Sequence, residues 1–144
     1  MQKFKALLKQ HRLKATPQRL AVHGAMLGLV HASAEQVAAA LDQGQGPGVS
    51  VSSVYNILSQ MASLGIYGRL LSADNVLYFD VNPDSHLHLY DPQDKVYRDI
   101  QEPGLLEDIE EKIKRHRYRG FKVSSVEVNV ICYPSRKRKK QDKK

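Results

Sequence analysis

The segment SVSSVYNILSQMASLGI, residues 50–66, constrains the fold more than any other part of the chain. Val54, Ile57, Leu58, Met61 and Leu64 recur at helical spacing and form one apolar stripe, so the segment predicts an amphipathic helix. Gly65 stands where a left-handed C-cap would end it. The opposite face carries Ser52, Tyr55, Asn56 and Ser59, which are uncharged and able to donate or accept hydrogen bonds. A surface helix ordinarily carries Lys and Glu there. Two readings fit this face: a Ser-rich solvated surface, or one that lies against base edges and phosphates.

The flanking sequence favours the second reading. Downstream, IYGRLLSADNVLYFDV alternates apolar and polar residues on both sides of SADN, as a β-hairpin does. Upstream, residues 3–11 predict a short helix with Phe4, Leu7 and Leu8 on one side. KATPQRLAVHGAML supplies Thr16 as N-cap and Pro17 at the first helical position, where a missing N–H is harmless. SAEQVAAAL opens with Ser33 and places Gln36 three residues later, a capping box. The Gly-rich DQGQGPG reads as a loop. Helices followed by a hairpin make a winged helix-turn-helix, whose second helix reads DNA.

Beyond NPDS, which reads as a hinge, the pattern changes. HLHLYD and KVYRDI predict two short strands joined by the turn PQD. PGLLEDIEEKIKRHR predicts a helix with Leu106, Ile109 and Ile113 on one side, and FKVSSVEVNVICY a strand with Val126, Val128 and Val130 facing one way. The fold class is therefore α+β. An N-terminal winged helix-turn-helix domain spans residues 1–82 and a small α/β dimerisation domain residues 83–133; residues 134–144 form a disordered basic tail. Three strands and one helix leave too much apolar edge for a monomer of about 50 residues, so a homodimer is expected.

Charge and cysteine content narrow the function. The net charge of +7 is uneven: residues 1–82 carry seven Lys/Arg against four Asp/Glu, residues 83–133 eight against ten, and residues 134–144 seven against one. The tail reads either as a solubilising terminus or as a source of non-specific attraction to phosphates. No apolar run approaches the roughly 20 residues that cross a bilayer, and the charged start MQKFKALLKQ has no signal-like apolar core. The expectation is a cytoplasmic protein with no membrane partner. One cysteine, Cys132, excludes an internal disulfide and any zinc site built from several cysteines of one chain. It reads as a small buried hydrophobe.

The segment PDSHLHLYDPQDKVYRD places His86 and His88 one residue apart among aspartates. Alone, the pair is either two ligands of one metal ion or the polar face of an exposed strand. Asp84, Asp91 and Asp94 read as turn residues. His11, His23 and His116 read as ordinary surface or partly buried side chains.

Taken in order, LKATPQR, HASAEQV, VSVSSVYNILSQMASLGI, VLYFDV, HLHLYD and KVYRDI resemble the ferric uptake regulator family of metal-dependent repressors, over nearly all of residues 8–133. The resemblance implies an N-terminal winged-helix DNA-binding domain, a C-terminal α/β dimerisation domain, and a regulatory metal ion between them. It assigns His31, Asp80, His86, His88 and Asp99 as ligands. The iron-uptake branch typically has glutamate at the two acidic positions, and the peroxide-sensing PerR branch has aspartate at both, as here. Members commonly carry a C-x-x-C after the H-x-H; this chain has Asp91 and Asp94 there, which implies no structural zinc.

Three imidazoles and two carboxylates suit iron(II) or manganese(II), with zinc as a substitute in vitro. Five ligands leave one octahedral position open for peroxide. By resemblance to the peroxide-sensing branch, the oxidation-sensitive ligands are His31 and His86. The alternative is an iron or manganese uptake regulator that answers to metal supply only. A non-haem iron enzyme is the distant third, because a winged helix leaves no room for a substrate barrel. The resemblance also places Tyr55 near base edges or backbone, with Lys14 and Arg19 at phosphates or the minor groove. Many relatives have arginine where this chain has Asn56, and asparagine favours adenine. A dimer would read a palindromic operator in double-stranded DNA.

Overall fold

A computed structural model describes residues 1–44 and 48–135; residues 45–47 of the Gly-rich loop and residues 136–144 of the basic tail lie outside the described residues. The chain divides into two compact units, the first spanning Met1–Asp84 and the second starting at Ser85.

The first unit runs α1 (Gln2–Gln10), α2 (Pro17–Leu29), β1 (His31–Ser33), α3 (Ala34–Asp42), α4 (Val51–Ser63), β2 (Gly68–Leu71) and β3 (Leu77–Asp80). Its helix ends follow from local chemistry. Thr16 Oγ1 accepts from the Arg19 N–H at 3.2 Å and Pro17 opens α2. Ser33 Oγ accepts from Gln36 N–H at 3.2 Å, while Gln36 Oε1 accepts from Ser33 N–H at 3.0 Å, the complete capping box. Gly65, at φ +78°, stops α4, and the Ile66 N–H then returns to the Met61 carbonyl at 2.9 Å. The apolar stripe of α4 enters the core through Val54, Leu58 and Met61, which pack with Phe4, Leu8, Val22, Met26, Val37 and Phe79.

The hairpin β2–β3 forms, but it is two-thirds of a sheet. The segment His31–Ser33 is a third strand, and the order is β1-β3-β2, all antiparallel. The sequence reads here only as a lead into a helix. Three residues carry no alternation of their own; β1 exists because buried Ala32 lies opposite Phe79 on a ready-made edge. Val30 makes the sharp entry at φ +65°, with its N–H on the Met26 carbonyl and its own carbonyl accepting from the Val81 N–H.

The second unit comprises β4 (His88–Asp91), β5 (Val96–Asp99), α5 (Leu105–Arg115) and β6 (Asn129–Ile131), with sheet order β5-β4-β6. The β4–β5 turn is held by Asp91, whose Oδ1 accepts from the N–H groups of Gln93 at 3.0 Å and Asp94 at 3.3 Å. Helix α5 has acids in its first turn and Lys112, Lys114 and Arg115 in its last, each sign facing the opposite end of the helix dipole.

The long strand expected over FKVSSVEVNVICY shortens to β6, three residues paired in parallel with β4. Alternation records which face a residue takes, whereas strand length is set by the partner, and β4 has four residues. Leu87, Tyr90, Tyr97 and Leu106 form the small core of this unit, and Ile131 and Tyr133 remain 58% and 76% exposed. Among the described residues, no helix is long and apolar enough to cross a membrane.

Candidate metal centre and DNA-facing surface

Each unit gathers imidazole and carboxylate by the same device, opposed positions on antiparallel strands. In the first unit, the register of β1 against β3 sets His31 opposite Asp80. Their side chains meet at 3.2 Å, His31 Nε2 to Asp80 Oδ2, and are 5% and 1% exposed. The other carboxylate oxygen, Asp80 Oδ1, accepts from the Asn82 N–H at 2.9 Å. A carboxylate this deep is kept only with partners, so the pair is a built feature and not a solvated coincidence.

In the second unit, the register of β4 against β5 sets His88 opposite Asp99. His86 Nε2 lies 3.0 Å from Asp99 Oδ1, and His88 Nε2 lies 3.6 Å from the same oxygen. The two imidazoles are 4.2 Å apart between centroids. The H-x-H spacing explains this, since alternate residues of an extended segment share a face, while Leu87 between them is buried in the core. His88 is further braced edge-on against Tyr97, with centroids 5.6 Å apart. Two imidazole nitrogens and one carboxylate oxygen, without a thiolate, form a donor set that fits iron(II) or manganese(II). Asp91, the last residue of β4, and Asp94, in the turn after it, hold that turn through Asp91 Oδ1.

The surface expected to face DNA is built on α4. Ser52, Tyr55 and Asn56 are exposed and, with Ser33, Asn75 and Leu77, line a cleft of about 570 Å³ between α4, the start of α3 and the wing. Tyr55 rests its ring edge-on against Phe79, with centroids 6.4 Å apart, and is 46% exposed. Ser59 differs from the other three, because its hydroxyl is buried and, among the described residues, has no hydrogen-bond partner. Lys14 is exposed. Arg19 is tied into the unit, donating to the Lys14 carbonyl at 2.8 Å and to Gln60 Oε1 at 3.3 Å.

Two residues emerge that the sequence did not mark. Arg69 of β2 donates to the Ser59 carbonyl at 3.3 Å and to Ser63 Oγ at 3.2 Å, fastening the wing to α4. No sequence signal separates this arginine from any exposed strand residue. His23, read as an ordinary surface or partly buried histidine, is buried instead: it stacks on Phe4 at 3.8 Å and 4°, with Nδ1 2.7 Å from the Tyr67 hydroxyl. Burial holds its pKa down at about 4 and pushes the Tyr67 phenol up.

Comparison with known proteins agrees with this architecture. Residues 10–131 match the model of the ferric uptake regulator family. The peroxide-responsive repressor PerR of Staphylococcus aureus is 32% identical over 103 residues, which cover 71% of this chain and 69% of that protein. Among solved structures, the ferric uptake regulator of Vibrio cholerae superposes with a TM-score of 0.74 at 19% identity, covering 90% of this chain and 98% of that one. The Campylobacter jejuni peroxide stress regulator gives 0.64 at 22% identity, covering 92% and 96%. A family match across most of the chain, on a fold with a winged-helix unit and histidine–aspartate pairs, leads to one conclusion: the chain belongs to the ferric uptake regulator family of metal-responsive, DNA-binding transcription regulators.

Proposed function

We propose that the chain is a metal-dependent repressor that senses hydrogen peroxide, with His31, Asp80, His86, His88 and Asp99 as the ligands of one iron(II) or manganese(II) ion. The single observation that carries this reading is the pair of aspartates at the two acidic positions, each set directly opposite a histidine of its own sheet. The S. aureus peroxide-responsive repressor, at 32% identity, supports the same branch. Neither half can hold an ion firmly alone, since one offers two ligands and the other three. Five residues lie between Asp80 and His86 in the chain.

Sharing one ion ties the DNA-binding unit to the second unit, and ligation favours the arrangement in which all five groups converge. Moving such an equilibrium from mostly open to mostly closed takes about 5.5 kcal/mol, which metal binding by five ligands supplies. Bound iron(II) would let peroxide oxidise an adjacent imidazole carbon of His31 or His86, adding one oxygen atom to the ring and leaving one water. An oxidised His31 no longer ligates, the tie to the DNA-binding unit is lost, and repression lifts. Manganese(II) in the same ligands represses without this reaction. The chain has no catalytic role in this reading, since each histidine is consumed once.

The proposed operator is a palindrome in double-stranded DNA, read by a homodimer. The apolar surface of the second unit, Ile131 and Tyr133 above all, supports pairing with a second copy. On the DNA side, Ser52, Tyr55 and Asn56 of α4 are proposed to read the groove, with Lys14 and Arg19 at the backbone; Ser59, its hydroxyl buried, is not carried forward. The test is anaerobic loading with iron(II), peroxide treatment, and peptide mapping by mass spectrometry. One added oxygen on His31 or His86 supports the sensor. Metal-dependent DNA binding without any oxygen gain refutes it, and favours the second reading, a regulator of iron or manganese uptake.

A further inference from the structure

The acidic balance of residues 83–133 hides a run of opposite sign. Residues 112–122, KIKRHRYRGFK, hold six Lys/Arg and no Asp/Glu, and every one of these residues is exposed. The run begins in the last turn of α5 and continues past it. Beyond the helix it is shaped: the Tyr118 hydroxyl donates to the Ile113 carbonyl at 2.9 Å, the Phe121 N–H donates to the Tyr118 carbonyl at 2.8 Å, and Gly120 at φ +81° turns the chain. Of the six cations, Arg115 has an acid within ion-pair distance, Glu111 at 3.4 Å, and among the described residues the other five have none.

We propose that this basic turn is a second, sequence-independent contact to the phosphate backbone of duplex DNA, distinct from the reading helix α4. The inference rests on the chain being a DNA-binding repressor. Like charges packed into eleven residues repel one another, and this self-repulsion is relieved by a polyanion whose phosphates release condensed counterions as they are neutralised. Because the turn is already closed by its own hydrogen bonds, less ordering remains to oppose binding than in an unstructured basic tail. Arginine suits the task, since its planar fork pairs with two phosphate oxygens. Such contacts position a protein without reading bases, so they add affinity to every sequence alike. A second copy of the chain is the competing partner, because the acids Glu107, Asp108, Glu110 and Glu111 earlier in α5 would complement the run.

The experiment uses the full chain with manganese(II) and a labelled random-sequence duplex, and follows affinity by anisotropy across a salt series. Lys114→Gln, Arg117→Gln and Arg119→Gln are combined in one variant. The expected result is a slope of log affinity against log salt that flattens by about 2 to 3, at roughly 0.9 per phosphate contact, with binding weakened at least about tenfold at low salt. A companion variant with Arg117→Lys and Arg119→Lys should keep the slope. An unchanged slope in the glutamine variant overturns the proposal. So does a lower sedimenting mass of that variant with an unchanged slope, which assigns the run to pairing between copies. If the wild-type chain shows no salt-dependent affinity for duplex, the DNA-binding reading itself fails; if the wild type binds and only the variant is indistinguishable, this inference alone fails.

Discussion

His23 offers a quantitative test of how the first unit is held together. Its ring is sandwiched against Phe4 and hydrogen-bonded to Tyr67, is only 8% exposed, and stays neutral until about pH 4, against 6.5 for an ordinary imidazole. In the unfolded chain the ring takes up a proton near pH 6.5, whereas in the fold it does so only near pH 4. Above pH 6.5 both states carry a neutral ring and its contribution to stability is complete. Between pH 6.5 and 4 the unfolded state binds more protons, so this contribution is lost as pH falls. A gap of this size corresponds to about 3.5 kcal/mol at roughly 1.4 kcal/mol per pH unit, and solvent reaching the ring edge reduces it to about 2 kcal/mol.

The perturbation is His23→Gln, which keeps an acceptor for the Tyr67 hydroxyl but cannot titrate. Both proteins would be unfolded with urea at a series of pH values from 7.5 to 4.5. Other groups that titrate in this range are common to both, so the difference between the two curves isolates His23. The wild type should lose about 2 kcal/mol relative to the variant over this interval. Following the Cε1 proton of His23 by NMR supplies the direct reading, a midpoint near 4. A flat difference curve, or a ring that titrates near 6.5, would refute the claim that the aromatic stack excludes the charged form.

Three further outcomes follow from the site. His88→Ala or Asp99→Ala should abolish metal-dependent DNA binding while leaving circular dichroism and oligomeric mass unchanged; full metal-dependent binding by either variant removes that residue from the ligand set. Tyr55→Ala should weaken DNA binding at least about tenfold, by loss of a contact worth 1 to 3 kcal/mol, with metal affinity intact in a competition titration. Gly68→Ala should reduce metal affinity and cost about 1 kcal/mol in urea unfolding, because the added methyl would sit 3.3 Å from the Asn82 carbonyl and 3.6 Å from Asp80 Cβ; wild-type affinity would show that the Asp80 loop gives way without consequence.

What could be read from the sequence is what local chemistry decides. Thr16, Ser33 with Gln36, and Gly65 end helices by bonds that reach three or four residues, so their identities are sufficient. The stripe of α4 is legible for the same reason. Ser59 shows the limit of that reading: helical spacing places it near Tyr55 and Asn56, yet its hydroxyl is buried and Arg69 reaches across to its carbonyl, a neighbour 10 residues away. His23 could not be read either, because nothing local distinguishes a histidine that will be covered by Phe4 and Tyr67. The strand β1 was hidden too, since its pairing is supplied by β3, some 47 residues later.

That hidden strand is where fold and candidate site become one argument. His31 faces Asp80, and His88 faces Asp99, at directly opposed positions of antiparallel strands in two separate sheets. Side chains alternate with a period of two, so a one-residue slip in either ladder would send the imidazole to one face and the carboxylate to the other. The same slip would turn Ala32 away from Phe79 in the first sheet, and Tyr90 away from Tyr97 in the second, where the rings lie 4.5 Å apart. The apolar pairs beside these residues therefore hold each imidazole opposite its carboxylate. In the second unit this gathers three donors from H-x-H and one opposing aspartate, and in the first it brings a histidine that precedes a helix to the last residue of a wing. In the proposed repressor a metal ion would meet donors already set within each unit, so that binding is the step left adjustable.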